Sequence, residues 1–191
     1  MARRIGVFGG TFDPPHSGHL IVAADAFEEL KLDVLLFVPA AVPPHKRGVV
    51  ATPDQRLRML RAAVAGDERF AVDDLELRRT GPSYTVDTLT ELSSREPDAE
   101  LIFLLGIDQF RAFSTWVRPD EIVNLATLAV MSRDGEKPDL DGVYGGIEVP
   151  VTRVDLSSTA VRAKAAAGAD LRYYVAPAVA RIIEDEGLYR G

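Results

Sequence analysis

Short apolar segments alternate with amphipathic segments along the chain. The runs at 34–38 and 101–105 are apolar throughout, which is typical of parallel strands that are covered on both faces. The run at 5–8 predicts another strand, which is expected to stop at the double glycine that follows it. Further extended segments are predicted at 70–77, 127–131 and 147–154.

Amphipathic segments lie between these strands. In 19–31, apolar residues recur every three or four positions, as on the buried face of a helix. A second helix is predicted to start at Thr52, whose side chain would cap it. Its core-facing residues would be Leu57, Leu60 and Val64. Further helices are predicted at 84–92, after Asp108, near Pro119, at 159–167 with Ser157 as its cap, and at 177–186.

This alternation favours an α/β fold with a Rossmann-like parallel sheet and helices on both of its faces. At 191 residues, one domain spanning 1–191 is the expected organisation. Glycines and acidic residues at 134–146 predict a mobile surface loop. In this fold class, ligands bind beyond the carboxyl ends of the strands, where the strand order changes direction.

Composition removes several classes of function. The chain has no cysteine, which excludes disulfides, a thiolate zinc site and a cysteine nucleophile. Its 22 Lys and Arg against 29 Asp and Glu give a net charge of −7, which disfavours a surface that coats nucleic acid. No apolar stretch approaches the roughly 18 residues of a membrane span, and no signal peptide is evident. The protein is therefore expected in the cytoplasm, without a membrane or nucleic-acid partner.

The loop at 9–19 joins the first strand to the first helix and reads GGTFDPPHSGH. Its glycines let the backbone approach a ligand closely, and a helix start presents N–H groups with positive dipole character, which suits phosphate. His16 and His19 can both point toward a bound phosphate. The loop lacks the dinucleotide pattern GxGxxG and the P-loop pattern GxxxxGKS/T. A plain turn whose histidines act as helix caps is the alternative.

The whole string resembles the nucleotidyltransferase superfamily that carries an HxGH signature, with His16 and His19 as its histidines. Within that superfamily, GGTFDPPHxGHL is similar to the bacterial nicotinate-nucleotide adenylyltransferases. The segment LSSTAVR at 156–162 resembles the second superfamily signature, ISSTxxR. Its hydroxyls, helix-start N–H groups and Arg162 are suited to phosphate oxygens. Taken alone, the segment could equally be a helix cap followed by a solvated arginine.

Other matches favour this family within the superfamily. The resemblance of 43–46 to a PPHK loop implies that Lys46 lies near substrate phosphate, although Lys46 could be an ordinary solvated lysine. Residues 82–88 resemble the segment PSYTxDT, which implies that Tyr84 and Thr85 hold the nicotinate carboxylate at a helix start. Asp87, in the same first turn, would compete for that dipole. Trp116 matches a tryptophan that stacks on the pyridine ring, whereas a sole tryptophan is more often core.

The remaining matches concern ATP. Gly106-Ile107-Asp108 resembles the family's GAD, with isoleucine where alanine is usual. Gly106 would admit the nucleotide closely and Asp108 would bond a ribose hydroxyl, a role compatible with capping a helix. Arg133 is a further candidate phosphate contact. The resemblance implies that ATP is bound by Gly9, Gly10, Thr11, Phe12, His16, His19, Gly106, Asp108, Ser157, Ser158, Thr159 and Arg162.

The implied reaction transfers AMP from ATP to nicotinate mononucleotide, giving nicotinate adenine dinucleotide and pyrophosphate by in-line displacement. His16, His19 and Arg162 would stabilise the developing charge. Mg²⁺ would be held mainly by ATP phosphates, without a metal site made of protein ligands. Two rivals stay open: an adenylyltransferase of the same superfamily acting on phosphopantetheine, and a noncatalytic nucleotide-sensing module. Homo-oligomerisation is also open.

Overall fold

One six-stranded sheet organises the protein, whose computed structural model describes residues 2–42, 48–132 and 137–190. All neighbouring strands are parallel, in the order β3-β2-β1-β4-β5-β6. The strands are β1 Arg4–Gly10, β2 Val34–Pro39, β3 Phe70–Val72, β4 Glu100–Gly106, β5 Thr127–Ser132 and β6 Ile147–Pro150. The predicted parallel sheet is confirmed.

Seven α-helices are found in the described residues: α1 Ser17–Glu29, α2 Pro53–Val64, α3 Thr85–Arg95, α4 Ile107–Arg111, α5 Pro119–Leu125, α6 Ser158–Ala166 and α7 Pro177–Asp185. Short 3-10 helices occupy Leu75–Arg78 and Phe113–Thr115. The predicted cap of α2 is confirmed, because the Thr52 hydroxyl accepts from the Gln55 N–H at 3.3 Å. In return, Oε1 of Gln55 accepts from the Thr52 N–H at 2.9 Å, which completes a capping box.

Helices cover both faces of the sheet, as the apolar runs predict. Alternate residues of β4 belong to two different core clusters, because successive strand residues point to opposite faces. Leu101 and Phe103 pack in the cluster that contains α3 and α5 residues. Ile102 and Leu104 pack in the cluster that contains α1 and α2 residues. A third cluster joins α2, α6 and α7 beside the sheet.

Some predicted boundaries were wrong. β1 does not stop before the glycines but continues through Gly10, which pairs with Pro39 of β2. Residues 70–77 are not extended throughout, because the Asp73 carboxylate accepts from the Leu75 N–H at 3.0 Å and the chain turns into a 3-10 helix. β6 ends at Pro150, four residues early; the Thr152 N–H donates to Asp25 of α1 at 2.6 Å.

Two helices also start earlier than expected. α1 begins at Ser17 with His16 as its N-cap, and α4 begins at Ile107 with Gly106 as its N-cap. The buried face of α2 is shifted as well. Leu57 is only half-buried, whereas Arg56 is fully buried beside Leu60. Arg56 is buried because its guanidinium donates to the carbonyl oxygens of Thr11 and Ala41 inside the protein.

The strand order changes direction between β1 and β4. From β1 the chain continues to β2 on one side, and β4 is followed by β5 on the other. The carboxyl ends of β1 and β4 lie side by side, with Phe8 opposite Leu104 in the register. A crevice outside this edge is the position in which such sheets bind ligands. Within the described part of the chain, no helix is long and apolar enough to cross a membrane.

Candidate active site

Two adjoining pockets open at this edge of the sheet. The first has a volume of about 510 Å³ and the second about 200 Å³. The first is lined, among others, by Thr11, His16, His19, Gly106, Ser157, Ser158, Thr159 and Arg162. The second is lined, among others, by Gly9, Gly10, Thr11, Tyr84, Thr85 and Trp116. Thr11 and Gln109 line both pockets, so the two cavities meet at these residues.

The two histidines of the HxGH segment lie against each other at the start of α1. Their ring centroids are 3.7 Å apart and the rings are stacked at 24°. The backbone N–H of His16 donates to Nδ1 of His19 at 3.2 Å. A nitrogen that accepts a hydrogen bond carries no proton, so the neutral His19 ring has its proton on Nε2. Nε2 of His19 is therefore a donor suited to an anionic ligand.

Aromatic packing holds the His19 ring in place. The Phe12 ring meets it edge to face at a centroid distance of 5.0 Å, and Phe8 does so at 6.3 Å. Two glycines leave room for the Phe12 ring and for the His16 ring. A Cβ atom at Gly10 would lie 2.7 Å from the Phe12 ring, and one at Gly18 would lie 3.1 Å from Nδ1 of His16. A Cβ atom at Gly10 would therefore displace the Phe12 ring and one at Gly18 would crowd the His16 ring, whereas one at Gly9 would lie at an ordinary 3.8 Å from Phe103.

The second signature docks directly on the first loop. Ser157 caps α6, since its hydroxyl accepts from the Ala160 N–H at 3.2 Å. The Ser158 hydroxyl donates to the Pro14 carbonyl oxygen at 2.9 Å. One Arg162 nitrogen donates to the Asp13 carbonyl oxygen at 2.8 Å. The two motifs, far apart in the sequence, therefore form one wall of the first pocket.

A buried polar network supports this wall, and sequence reasoning missed it. The Asp13 carboxylate is 3% exposed and accepts from the N–H groups of Val50 and Ala51 at 2.8 and 3.1 Å. It also accepts from the Tyr189 hydroxyl at 2.8 Å, and burial next to this carboxylate raises the pKa of Tyr189. Asp13 thereby fixes the loop to two distant segments.

Arg56 completes this network from α2. Its guanidinium donates to the carbonyl oxygens of Thr11 and Ala41 at 2.8 and 3.2 Å. Burial lowers the pKa of Arg56, and the nearby Asp13 carboxylate opposes that shift. The sequence does contain a signal for this buried cation. Arg56 lies three residues before Met59, so the two residues share the core-facing side of α2.

The second pocket has an aromatic wall and a helix start. Trp116 packs against Phe103 and Phe113 at centroid distances of 6.0 and 5.4 Å and still lines the cavity. Trp116 can therefore pack in the core and contact a ligand at the same time. Tyr84 is the N-cap of α3 and Thr85 is the first residue of that helix. Helix-start N–H groups and an aromatic ring thus face one small cavity, which suits a flat anionic ring.

Two carboxylates near this helix start bear on the charge of the second pocket. Asp87 is ion-paired with Arg118, so its charge is met by a cation. Glu76 lines the pocket, is 7% exposed, and was not singled out from the sequence. It accepts from the Thr88 hydroxyl at 2.5 Å. Burial raises the pKa of Glu76, while the Thr88 and Ser83 hydroxyls and Arg79 partly offset the shift.

The other predicted residues lie elsewhere. Phe12 is 2% exposed in the core and lines neither pocket. The Asp108 side chain is 91% exposed, lines neither pocket and pairs with Arg111 at 3.1 Å. Gly106, not Asp108, caps α4. Lys46 and Arg133 lie outside the residues that the structure describes.

Few protein groups of the described residues are placed to bind a metal ion at this site. Across the described ranges, no group of three or more His, Asp or Glu residues could hold a metal ion. Of the described residues, Asp13 is the one carboxylate that lines the first pocket, and its oxygens already accept from three protein donors. A magnesium ion here would be held chiefly by nucleotide phosphate oxygens, which is common for this cation.

Comparisons with known proteins agree with the geometry. Residues 7–164 match the family model described as cytidylyltransferase-like. A protein of Shouchella clausii named probable nicotinate-nucleotide adenylyltransferase is 43% identical over 192 residues, covering 98% of this chain and 97% of the relative. A protein of Thermus thermophilus with the same name is 46% identical over 187 residues, covering 98% of this chain and 100% of the relative.

A solved structure supports the fold. The Plasmodium falciparum nicotinic acid mononucleotide adenylyltransferase complexed with NaAD has a TM-score of 0.78, covering 98% of this chain and 97% of that chain. Its sequence identity is 20%, so this likeness concerns the fold alone. The predicted Rossmann-like architecture of nucleotidyltransferase type is confirmed.

Proposed function

Because the chain belongs to the nicotinate-nucleotide adenylyltransferases, within the cytidylyltransferase-like family, we propose that it transfers AMP from ATP to nicotinate mononucleotide. The products are nicotinate adenine dinucleotide and pyrophosphate, a step of NAD biosynthesis. The observation that carries the proposal is the pair of pockets that meet at Thr11 and Gln109. One pocket has the donors for a nucleoside triphosphate and the other has the shape and polarity for a nicotinate ring.

The chemistry needs no protein nucleophile. The phosphate of nicotinate mononucleotide is largely ionised at neutral pH, since its second pKa is about 6. Its oxygen attacks the α-phosphorus of ATP, a new P–O bond forms, and the bond to the pyrophosphate leaving group breaks. No proton has to be removed from the attacking oxygen. Catalysis then rests on alignment and on donors that face the growing charge.

The first pocket supplies those donors in this proposal. His19 donates from Nε2, held by the His16 N–H and the Phe12 ring. Arg162 adds a fixed positive charge whose orientation is set by the Asp13 carbonyl oxygen. Ser158, bonded to Pro14, keeps the α6 start against the loop. Magnesium carried on the ATP phosphates would neutralise part of their charge.

The second pocket holds the acceptor substrate in this proposal. The pyridine ring stacks on Trp116, and the nicotinate carboxylate accepts hydrogen bonds from the N–H groups at the start of α3, near Thr85. The Plasmodium falciparum protein of the same fold is complexed with NaAD, which supports a dinucleotide spanning such a pair of sites. Phosphopantetheine has no aromatic anion to place in this second pocket. A cytoplasmic location belongs to the same proposal.

One assay tests the proposal and its rivals. The protein is mixed with ATP, magnesium and, in parallel, nicotinate mononucleotide, nicotinamide mononucleotide or phosphopantetheine. Dinucleotide formation is followed by chromatography and pyrophosphate release by a coupled reaction. We expect both products with nicotinate mononucleotide. Turnover with phosphopantetheine alone, or ATP binding without pyrophosphate release in every arm, contradicts the proposal. Omitting magnesium and adding excess chelator should abolish turnover, and size-exclusion chromatography with light scattering would give the oligomeric state.

A further inference from the structure

Gln109 occupies the junction of the two pockets. It is one of two residues that line both cavities among the residues described, and the other, Thr11, is 7% exposed. In a bimolecular group transfer, the reacting atoms of the two substrates meet where their binding sites adjoin. A polar side chain at this position is therefore placed next to the bond that forms and the bond that breaks.

The orientation of the Gln109 carboxamide follows from its contact with the backbone. Its Oε1 atom accepts from the Gly106 N–H at 3.1 Å, as the third residue of α4 often does toward an N-cap. A carboxamide with its oxygen engaged in this way leaves its NH₂ group, with two donor hydrogens, on the other side. The side chain is exposed and borders both cavities, so this NH₂ group is the part available to ligands.

We propose that Gln109 is a catalytic residue that donates hydrogen bonds from Nε2 to oxygens of the transferring α-phosphoryl group and the attacking phosphate. This inference rests on the proposed adenylyl transfer. As the acceptor phosphate approaches the α-phosphorus, two anionic groups come together and the repulsion between them rises. A neutral donor that bonds both groups reduces that repulsion most when they are closest, which is in the transition state. Gln109 transfers no proton.

Two variants separate the donor from the cap. Gln109→Glu keeps an oxygen that can accept from the Gly106 N–H, so α4 stays capped while the donor is replaced by a carboxylate, which also adds a negative charge. Gln109→Met loses both. Gln55→Met is the matched control, because Gln55 also caps a helix, accepting from the Thr52 N–H at 2.9 Å, and lines neither pocket. For each variant we would measure kcat, the KM for each substrate, and the melting temperature.

We expect Gln109→Met and Gln109→Glu to lower kcat by about tenfold to a hundredfold, the scale of a lost transition-state donor. In Gln109→Met the KM values for ATP and nicotinate mononucleotide should stay within about threefold, because the donor acts mainly in the transition state. In Gln109→Glu both KM values should rise further, because the carboxylate repels the two anionic substrates. Gln55→Met should keep the wild-type kcat. Gln55→Met should lower the melting temperature at least as much as Gln109→Met, because it removes a cap and also the hydrogen bond from Gln55 Nε2 to Glu186 at 3.1 Å.

Three results would overturn the inference. A Gln109→Met variant with wild-type kcat shows that no donor is needed. Loss of kcat in Gln109→Met but not in Gln109→Glu shows that the residue only caps α4. A wild-type protein that makes no dinucleotide removes the proposed function and this inference together, whereas wild-type turnover with an unaffected Gln109→Met removes the inference alone.

Discussion

The Tyr189 hydroxyl donates to the buried Asp13 carboxylate at 2.8 Å, which links the last residues of the chain to the loop after β1. The same loop residue accepts from Arg162 through its carbonyl oxygen. Tyr189 is 9% exposed, so the bond lies away from solvent, where hydrogen bonds to charged groups contribute most. The C-terminal segment thus supports the loop that carries His16 and His19.

Tyr189→Phe tests this support. Removing the hydroxyl should lower the free energy of unfolding by about 1–3 kcal/mol, since the carboxylate loses one of its donors inside the protein. Urea unfolding followed by circular dichroism gives this value. Tyr173→Phe is the matched control, because the Tyr173 side chain is 85% exposed, and its effect should stay within about 0.5 kcal/mol. Equal effects of the two variants would mean that the Asp13 bond contributes nothing.

Arg162→Lys keeps the charge at the first pocket but loses the planar pair of donors. Arg162 donates to the Asp13 carbonyl oxygen at 2.8 Å and to the Thr159 hydroxyl at 3.2 Å. A lysine cannot make both bonds in that geometry, so we expect kcat to fall about tenfold to a hundredfold. Arg172→Lys, on an exposed arginine paired with Asp170, is the control and should keep full turnover. A wild-type kcat in Arg162→Lys would mean that turnover requires only a positive charge at this position.

The clustering of the two signatures could be predicted from the sequence for a physical reason. A parallel sheet brings the carboxyl ends of its strands to one edge, so the loop at 9–19 after β1 and the segment at 156–162 after β6 leave the sheet at the same edge. The Ser157 cap was also predictable, because capping is a local interaction between residues three apart. Local patterns and sheet topology together were sufficient for the α/β fold and for most of the first pocket.

Contacts between distant segments were not predictable in the same way. Asp13 and Tyr189 are 176 positions apart, and neither residue type identifies its partner. The periodicity of α2 placed Leu57 in the core, but the free carbonyl oxygens of Thr11 and Ala41 favoured burying Arg56 instead. The division of the site into two pockets that meet at Gln109 likewise depends on packing in three dimensions.

His19→Ala should lower kcat by about a hundredfold or more, because the Nε2 donor to the transition state is removed. His19→Asn distinguishes catalysis from loop support. Its side-chain oxygen can still accept from the His16 N–H, as Nδ1 of His19 does at 3.2 Å, but it has no group at the Nε2 position. Steady-state kinetics should find both variants equally slow. Full turnover in His19→Asn would reduce His19 to a support for the loop.

Trp116→Ala should raise the KM for nicotinate mononucleotide tenfold or more, since stacking of a base on an aromatic ring contributes about 1–3 kcal/mol. The KM for ATP should change less than about threefold, because Trp116 lines the second pocket and not the first. Trp116→Phe retains a ring and should fall between wild type and Trp116→Ala. Initial-rate kinetics with each substrate varied in turn gives the constants for both. Equal increases for both substrates would assign Trp116 to the core alone.

Glu76→Gln tests the electrostatics of the second pocket through the pH dependence of stability. Burial raises the folded-state pKa of Glu76 above the ordinary value of 4.5. Well below pH 4.5 the carboxyl is protonated in the folded and unfolded states alike, so the free energies of unfolding of wild type and variant differ by a constant. As the pH rises toward the folded-state pKa, the unfolded wild-type chain ionises first, and the wild type loses stability relative to Glu76→Gln. Above that pKa the difference becomes constant again.

Urea unfolding of both proteins between about pH 4 and pH 8 measures this change, with the exposed Glu68→Gln as control. A difference that does not vary with pH would mean that Glu76 ionises as readily in the folded protein as in the unfolded chain.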